Sequence, residues 1–454
     1  MKILKITVSF KALYAYHICS VLFILLIAFS TNVYAASENA SAEPVAKFAL
    51  PEEKVKIGDM LRYAYENNPS IQAARQGWKA VLENYRVATG YPDPQIMVTY
   101  FPQPIETRLG PQDWNASISQ TIPFPGKLRT AGDMVKADVR IARLNLDKTV
   151  RNITTSILES YYELGYIREA KRIAAKNSDL LKLLRKTGET AYTQNRAAFA
   201  DVVKAQSQTA QLRYDALLLN ELELTESTRL NGFLNRSPDA PIGLMEMTPF
   251  QPVAYKLEDI YRLSEEGQEE IRIAAIKEEK AELKAELARY QNLPHFKMGL
   301  FYASIGNPDY ATMPDEPGRD AIGVQFGMTI PLWLGKNSGR KQSALAATEK
   351  AKALKTARII ETRTNIRNLF FRLQNSQRLI ALYQDEMLPQ AVNAMETAET
   401  WFREGEGSFT DFVETQSALY NFELSLARAY ADYGKHLSRL EKLCGKRLTV
   451  KEEK

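Results

Sequence analysis

The chain has 454 residues, of which 45% are hydrophobic and 25% charged, and its formal net charge is +5. Residues 1–35 hold three lysines and no acid, so the remainder carries only +2, which gives no support for a nucleic-acid partner. Two cysteines and three histidines in the whole chain are too few for a disulfide framework or a cysteine metal cluster. We therefore expect neither a cofactor nor a bound metal.

The first 35 residues predict a signal peptide. Three lysines precede an apolar run from Ile18 to Phe29, which is too short to span a bilayer comfortably. Small residues end at Ala35 in a pattern typical of signal-peptide cleavage, and the alternative is an uncleaved anchor. The polar residues 36–55 then predict an extended N-terminal arm.

The remaining sequence contains an internal duplication. Asp59, Arg62 and Glu66 recur 200 positions later as Asp259, Arg262 and Glu266, and residues 187–207 recur as 397–417. A duplication of this length indicates internal pseudo-symmetry. The predicted parts are a first repeat at 56–235, a proline-rich linker at 236–256, a second repeat at 257–446 and a tail at 447–454.

Each repeat predicts long helices. The apolar positions of residues 127–192 are spaced by threes and fours, which is typical of coiled coils. A proline at 69 interrupts the first helix. The predicted helices cover about 57–89, 127–192, 198–234, 257–291, 338–404 and 410–444.

Four segments alternate apolar and polar residues with the period of a β-strand, at about 95–102, 114–122, 295–303 and 321–331. Their lengths match tilted strands that cross a bilayer. Aromatic residues near the strand ends predict a membrane girdle of Tyr91, Trp114, Phe124, Tyr302 and Trp333. The alternative is a soluble sheet covered by helices.

Four strands cannot close a barrel alone, and open strand edges are not tolerated in lipid. Three copies would supply enough strands for a wet lumen. The predicted fold is mainly α with a transmembrane β part, in which a trimer forms a 12-stranded β-barrel continued by a long coiled-coil α-helical barrel. Such an assembly is a conduit, and its architecture does not require catalytic residues.

Several motifs occur in a fixed order within the duplication: 66–71 (ENNPSI), 92–95 (PDPQ), 120–127 (QTIPFPGK) and 330–333 (IPLW), with two helical tips before Asp201 and Asp411. In this arrangement the chain resembles the outer-membrane efflux factor family, the TolC-like proteins. The segment 123–127 (PFPGK) is similar to the heavy-metal branch of that family.

The resemblance implies a homotrimeric exit duct in the outer membrane of a Gram-negative bacterium, with a large periplasmic part. Its implied partners are outer-membrane lipid, a periplasmic adaptor protein and an inner-membrane pump of the resistance-nodulation-division type. The exported substrate stays open between metal cations, drugs and other small molecules.

The resemblance also implies a periplasmic gate lined by Asp411, Glu414 and Asp201. The alternative for Asp201 and Asp411 is that each stabilises the N-terminus of its helix. Gly407 stands where the family can carry a latching arginine, so a latch would need other groups, such as Arg403 or Arg196.

The helical tips dock the adaptor in this family. The corresponding residues here are Asn195, Arg196, Gly405, Glu406 and Gly407. The glycines also have a sufficient structural reason, because they permit a tight turn between helices.

Two other functions compete with the duct. One is a periplasmic coiled-coil protein with a structural or interaction role and no channel. The other is an enzyme, which we do not expect because no nucleophile-elbow or metal-binding spacing occurs.

Overall fold

The computed structural model describes residues 50, 53–193, 198–246, 250–308, 315–404 and 406–449. The predicted signal peptide, most of the N-terminal arm and the last residues of the tail lie outside these ranges. So do three predicted tip residues, Asn195, Arg196 and Gly405.

The two halves of the chain contain the same order of elements. The first half holds β1 (Lys54–Val55), α1 (Ile57–Asn67), α2 (Pro69–Thr89), β2 (Gln95–Thr107), β3 (Gly110–Ile122), α3 (Lys127–Thr193) and α4 (Phe199–Leu234). The second half holds β4 (Leu244–Met245), α5 (Leu257–Gly267), α6 (Glu269–Tyr290), β5 (Phe296–Ile305), β6 (Ala321–Met328), α7 (Leu334–Ala381), a π-helical turn (Leu382–Met387), α8 (Leu388–Glu404) and α9 (Phe409–Cys444).

The break between α1 and α2 has a local cause. The side-chain oxygen of Asn68 accepts hydrogen bonds from the N–H groups of Ser70 (2.9 Å) and Ile71 (3.3 Å), and Pro69 occupies the first helical position. This is a capped helix start. In the second half Gln268 adopts a similar extended conformation and separates α5 from α6, where the sequence predicted one helix over 257–291.

One four-stranded antiparallel sheet has the order β2-β3-β5-β6. The β2–β3 hairpin is longer than predicted, because pairing resumes after a register shift between Tyr100 and Ile105 and continues to the turn at Gly110. β6 ends at Met328, earlier than predicted, although the Thr329 N–H still donates to the His295 carbonyl at 2.9 Å.

The helices that join these strands form a layer in the same order. α2 packs on α3, α3 on α6, and α6 on α7. Each strand therefore continues into the neighbouring helix of the layer. α4 packs along α3, and α9 packs on both α3 and α7.

Three apolar cores hold the helices together. One joins α1 and β1 to α3 and α4 around Ile157, Tyr161 and Leu164. A second joins α5 to α7 and α9, and a third lies near the second helical tip. Within the described ranges, no helix has the length and apolar character needed to cross a membrane.

Candidate functional site at the helical tips

The turn between α8 and α9 is compact. The N–H groups of Glu406 and Gly407 both donate to the carbonyl of Trp401, at 2.9 and 3.0 Å. A Cβ atom on Gly407 would lie 2.8 Å from the Cβ of Trp401, so the turn has no room for a side chain there. The side-chain oxygen of Ser408 accepts the Asp411 N–H at 3.0 Å and caps α9.

An aromatic cluster fixes this second tip to the first helical hairpin. The ring of Phe402 lies 5.3 Å from that of Phe409 and 6.2 Å from that of Phe412. Phe409 packs over Gly188 of α3, where an added Cβ would approach its ring to 2.9 Å. The first hairpin therefore contributes a glycine-lined seat for the second tip.

The first tip differs in burial. Tyr192 and Phe199 form a ring pair at 5.8 Å, and they are 47% and 64% exposed. Their counterparts at the same repeat positions, Phe402 and Phe409, are 7% and 2% exposed. The duplicated pattern alone could not predict this difference, because equivalent positions face different neighbours.

The predicted gate residues have different surroundings. Glu414 is exposed and pairs with Lys204 of α4, with 2.7 Å between Oε1 and Nζ. Asp411 is exposed in the first turn of α9, where the helix dipole favours a carboxylate. Asp201 lies in the first turn of α4, and its side chain is outside the described set.

Sequence reasoning missed Lys204. Lys204 and Glu414 occupy equivalent positions of the two repeats, 210 residues apart, and carry opposite charges. This difference between the repeats was the available sequence signal for an ion pair. Close by, the amide of Gln208 donates to the Ser417 hydroxyl at 3.0 Å. Arg403 pairs with Glu399 of its own helix.

The predicted girdle residues lie at the two ends of the sheet. The rings of Trp114 and Tyr302 lie 5.3 Å apart at the hairpin end, and those of Phe124 and Phe296 lie 6.4 Å apart at the helix end. Tyr91 and Trp333 also lie at the helix end, at 67% and 76% exposure.

Between these ends, one face of the sheet is apolar and exposed. The large exposed side chains of that face are Ile96, Val98, Tyr100, Ile118, Met298, Leu300, Ile322, Val324, Phe326 and Met328. The cross-strand pairs Val98–Ala116 and Leu300–Val324 lie on it. An exposed apolar surface of this extent marks contact with another apolar phase or protein.

A charged cluster joins the hairpins above the tips. Glu163 of α3 pairs with Arg428 at 2.9 Å and with Lys435, both of α9. Burial favours the neutral acid, but these two cations outweigh it and hold the pKa of Glu163 below its ordinary value. The same two helices are joined by Arg439 and Glu159 at 2.7 Å.

In the part of the chain that the structure describes, no group of three or more histidine, cysteine, aspartate or glutamate side chains is arranged to hold a metal ion. Cys444 is fully buried in the core of α5, α7 and α9. It packs there as a small apolar residue.

Residues 260–446, which include the second tip, match the family model described as outer membrane efflux protein. This segment is similar to that family. A protein similar to the chain, the pyoverdine export outer membrane protein OpmQ of Pseudomonas putida, is 23% identical over 325 residues. That alignment spans 70% of this chain and 66% of the relative, slightly under two thirds of its length.

Solved structures show that the efflux-channel fold extends over most of the chain. The outer membrane protein VceC of Vibrio cholerae superposes with a TM-score of 0.71 at 17% identity, covering 86% of this chain and 96% of VceC. The outer-membrane channel OprN gives 0.71 at 15% identity, with 87% and 91% covered. CusC, described by its transmembrane channel formation, gives 0.71 at 13% identity, with 88% and 93% covered. The predicted resemblance and the mainly helical, TolC-like fold are confirmed.

Proposed function

We propose that this protein is the outer-membrane exit duct of a tripartite efflux system, and that it is not an enzyme. The exposed apolar face of the sheet carries the proposal, because it needs a lipid-like surrounding while the helices are amphipathic and water-compatible. The efflux-channel fold and the family match support the same function.

The proposed assembly is a homotrimer. The edges of the sheet, β2 and β6, belong to different repeats and have no partner strand among the described residues. Pairing β6 of one copy with β2 of the next closes these edges and gives a 12-stranded β-barrel. The helix layers then continue the barrel as a tunnel on the periplasmic side.

The proposed partners are a periplasmic adaptor, docked at the two tips, and an inner-membrane pump of the resistance-nodulation-division type. The compact turn at Glu406 and Gly407 supports docking, since it presents a rigid end to the hairpin. The cargo is a small molecule or ion that the pump selects. A relative named for pyoverdine export supports a small organic molecule over a metal cation.

The proposed gate consists of Asp411 and Glu414, with Asp201 from the first tip. Three-fold symmetry turns each position into a ring of carboxylates, which favours cations at the mouth. Lys204 lies against Glu414 and lowers the charge of that ring. The gate is therefore held at each protomer by an ion pair between its two hairpins.

Single-channel conductance in a planar bilayer tests the duct and its gate. We expect small steps from the purified trimer, and a larger conductance with weaker cation preference in the double variant Asp411→Asn/Glu414→Gln. The matched control is Asp179→Asn/Glu349→Gln, which neutralises two carboxylates that are 78% and 74% exposed outside the tips.

Steps that the tip variant leaves unchanged would reject these gate residues and keep the duct. A folded protein that gives no steps would reject the duct. The periplasmic structural role would then be favoured, and it predicts extraction from membranes by salt alone.

A further inference from the structure

Helix α6 separates its charges onto two sides. Lys277, Lys280 and Lys284 follow one another at spacings of three and four, which places them on one face. The acids of the same stretch fall on the opposite side of the helix: Glu278, Glu279, Glu282 and Glu286. Over residues 277–286 one face of α6 is thus positively charged, and the other is negatively charged.

The lysine side of α6 is bordered by cations of both neighbouring helices. Glu270, on the lysine side of α6, pairs with Lys148 of α3 at 2.5 Å and with Arg358 of α7 at 2.9 Å. A groove lies there between α3 and α7, and Lys277, Lys284 and Lys350 are among its lining residues.

The same face of α3 and α7 carries further cations toward the sheet. Lys127 precedes Lys148 by three heptads, which keep one face in a coiled coil, and Arg340 precedes Arg358 by five full helical turns. These upper residues lie where the helices join the strands. Cations therefore recur on this side near the sheet as well as at the groove.

At the junction with the sheet, Lys127 is buried, with only 8% of its surface exposed. Its Nζ lies 2.9 Å from Nε2 of His295, a neutral partner. Burial lowers the pKa of Lys127, and the nearby charge of Arg340 lowers it further. Lys297, two residues after His295 on the same strand face, reaches the Gln95 side chain at 3.3 Å. No carboxylate takes part in these contacts.

The carboxylates on this face are already paired. Asp138 binds Lys280 through both oxygens, at 2.6 and 2.7 Å, and Glu270 holds Lys148 and Arg358. By contrast, within the described residues no carboxylate lies within ion-pair distance of Lys277, Lys284 or Lys350. These three lysines are exposed, so their charge is available to a ligand.

We propose that this cationic groove of α3, α6 and α7 binds anionic solutes, which carry carboxylate or phosphate groups, as they pass through the tunnel. The proposal rests on the proposed duct, because this face lines a passage only in a closed assembly that turns the polar face of the sheet, which Lys127 meets at His295, toward the lumen. A lumen wall of one sign raises the local concentration of counter-ions. The groove would then favour anionic cargo, while the carboxylates at the tips act against anions at the mouth.

The reversal potential of the channel in a potassium chloride gradient tests the groove. We compare Lys277→Gln/Lys284→Gln/Lys350→Gln with Arg272→Gln/Lys341→Gln/Lys352→Gln, which removes the same charge from other faces of α6 and α7. In the groove variant we expect the chloride-to-potassium permeability ratio to fall about twofold or more, and in the control variant we expect little change. Equal shifts in both variants, or no shift, would overturn the proposal.

Binding of citrate, a trivalent carboxylate, gives a second measurement that needs no current. Titration calorimetry on the detergent-solubilised trimer at low salt should show affinity about tenfold weaker in the groove variant than in the control variant. Equal affinity would reject the groove even if the channel conducts. Weaker citrate binding in a protein that gives no current would retain the groove and reject the duct.

Discussion

At the scale of single residues, ion pairs join the two halves of the chain. Glu163 of the first half is bound by Arg428 and Lys435 of the second, and its side chain is 23% exposed. Its pKa lies below the ordinary value of 4.5 because the two cations outweigh burial. A carboxylate of this kind stabilises the folded state above its unfolded pKa, and the contribution is lost as the pH falls through the lower folded value.

Glu163→Gln should therefore lower the melting temperature at pH 7 and have little effect once the pH is well below 4.5. The expected cost at pH 7 is about 1–3 kcal/mol, because Lys435 and Arg428 lose a partly buried partner. Thermal unfolding in detergent across this pH range measures it. Glu349→Gln, at a 74% exposed carboxylate, is the control, and a difference that persists unchanged in acid would contradict the assignment.

Cys444 should be unreactive in the folded protein. Its thiol is fully buried, and burial, followed by the charge of Glu441, raises its pKa to about 12. The thiolate is the reactive form, so it is scarce at pH 8. Cys444 is the one cysteine of residues 36–454, and a thiol reagent should label it only after denaturation. Complete labelling of the native protein would show that α9 opens readily at this end.

At the scale of elements, the predicted helices and strands were largely found, and the departures have physical causes. The sequence predicted a single helix over 257–291, but α5 ends at Gly267 and α6 begins at Glu269. The break has no proline, unlike the one at Pro69. It follows from packing, because Gly267 lies directly against the carbonyl of Cys444 and the backbone of Gly445.

Gly267→Ala should consequently destabilise the protein by about 1–3 kcal/mol, since the added Cβ collides with backbone that cannot move away. Gly232→Ala is the matched control, because that glycine lies in α4 with open space around its Cβ position. There we expect a gain of up to about 1 kcal/mol from helix propensity. The unfolding temperatures of the two variants measure these effects. Equal shifts would show that Gly267 at the end of α5 is not tightly packed against the end of α9.

The π-helical turn at Leu382–Met387 was not predicted. It lies inside a continuous helical pattern. Six residues with a shifted hydrogen-bond register are too few to produce a recognisable periodicity in the sequence. The start of α7 at Leu334 was also missed, because Gly335 and Asn337 have low helix propensity. There Asn337 instead donates to the carbonyl of Pro331 at 3.1 Å and ties the helix start to the segment that follows β6.

At the scale of the whole molecule, the two faces of the sheet differ in which substitutions they should tolerate. Val324 and Gln325 are neighbours on β6 and point to opposite faces, and Val324 is 61% exposed on the apolar face. In the proposed barrel Val324 faces lipid and Gln325 faces water.

Val324→Lys should impair assembly, at a cost of about 2–4 kcal/mol per copy near the bilayer midplane, whereas Gln325→Lys should assemble normally. The amount of trimer in the outer-membrane fraction measures the effect. Equal yields for the two variants would indicate that this sheet is not surrounded by lipid.

The sequence by itself determined the duplication, the long helices, the alternating strands and the aromatic residues at their ends. Each of these follows from local periodicity, which a chain carries regardless of its neighbours. It also pointed to the second tip, because the glycine-containing turn and Asp411 are local features.

Only the tertiary structure decided how equivalent positions differ. Phe409 is buried over Gly188 while Phe199 is exposed, and Lys204 lies against Glu414, because each repeat meets a different partner surface. The cationic groove was also hidden in the sequence, since its lysines come from helices far apart in the chain. Burial and electric field depend on what the fold brings together, which periodicity does not record.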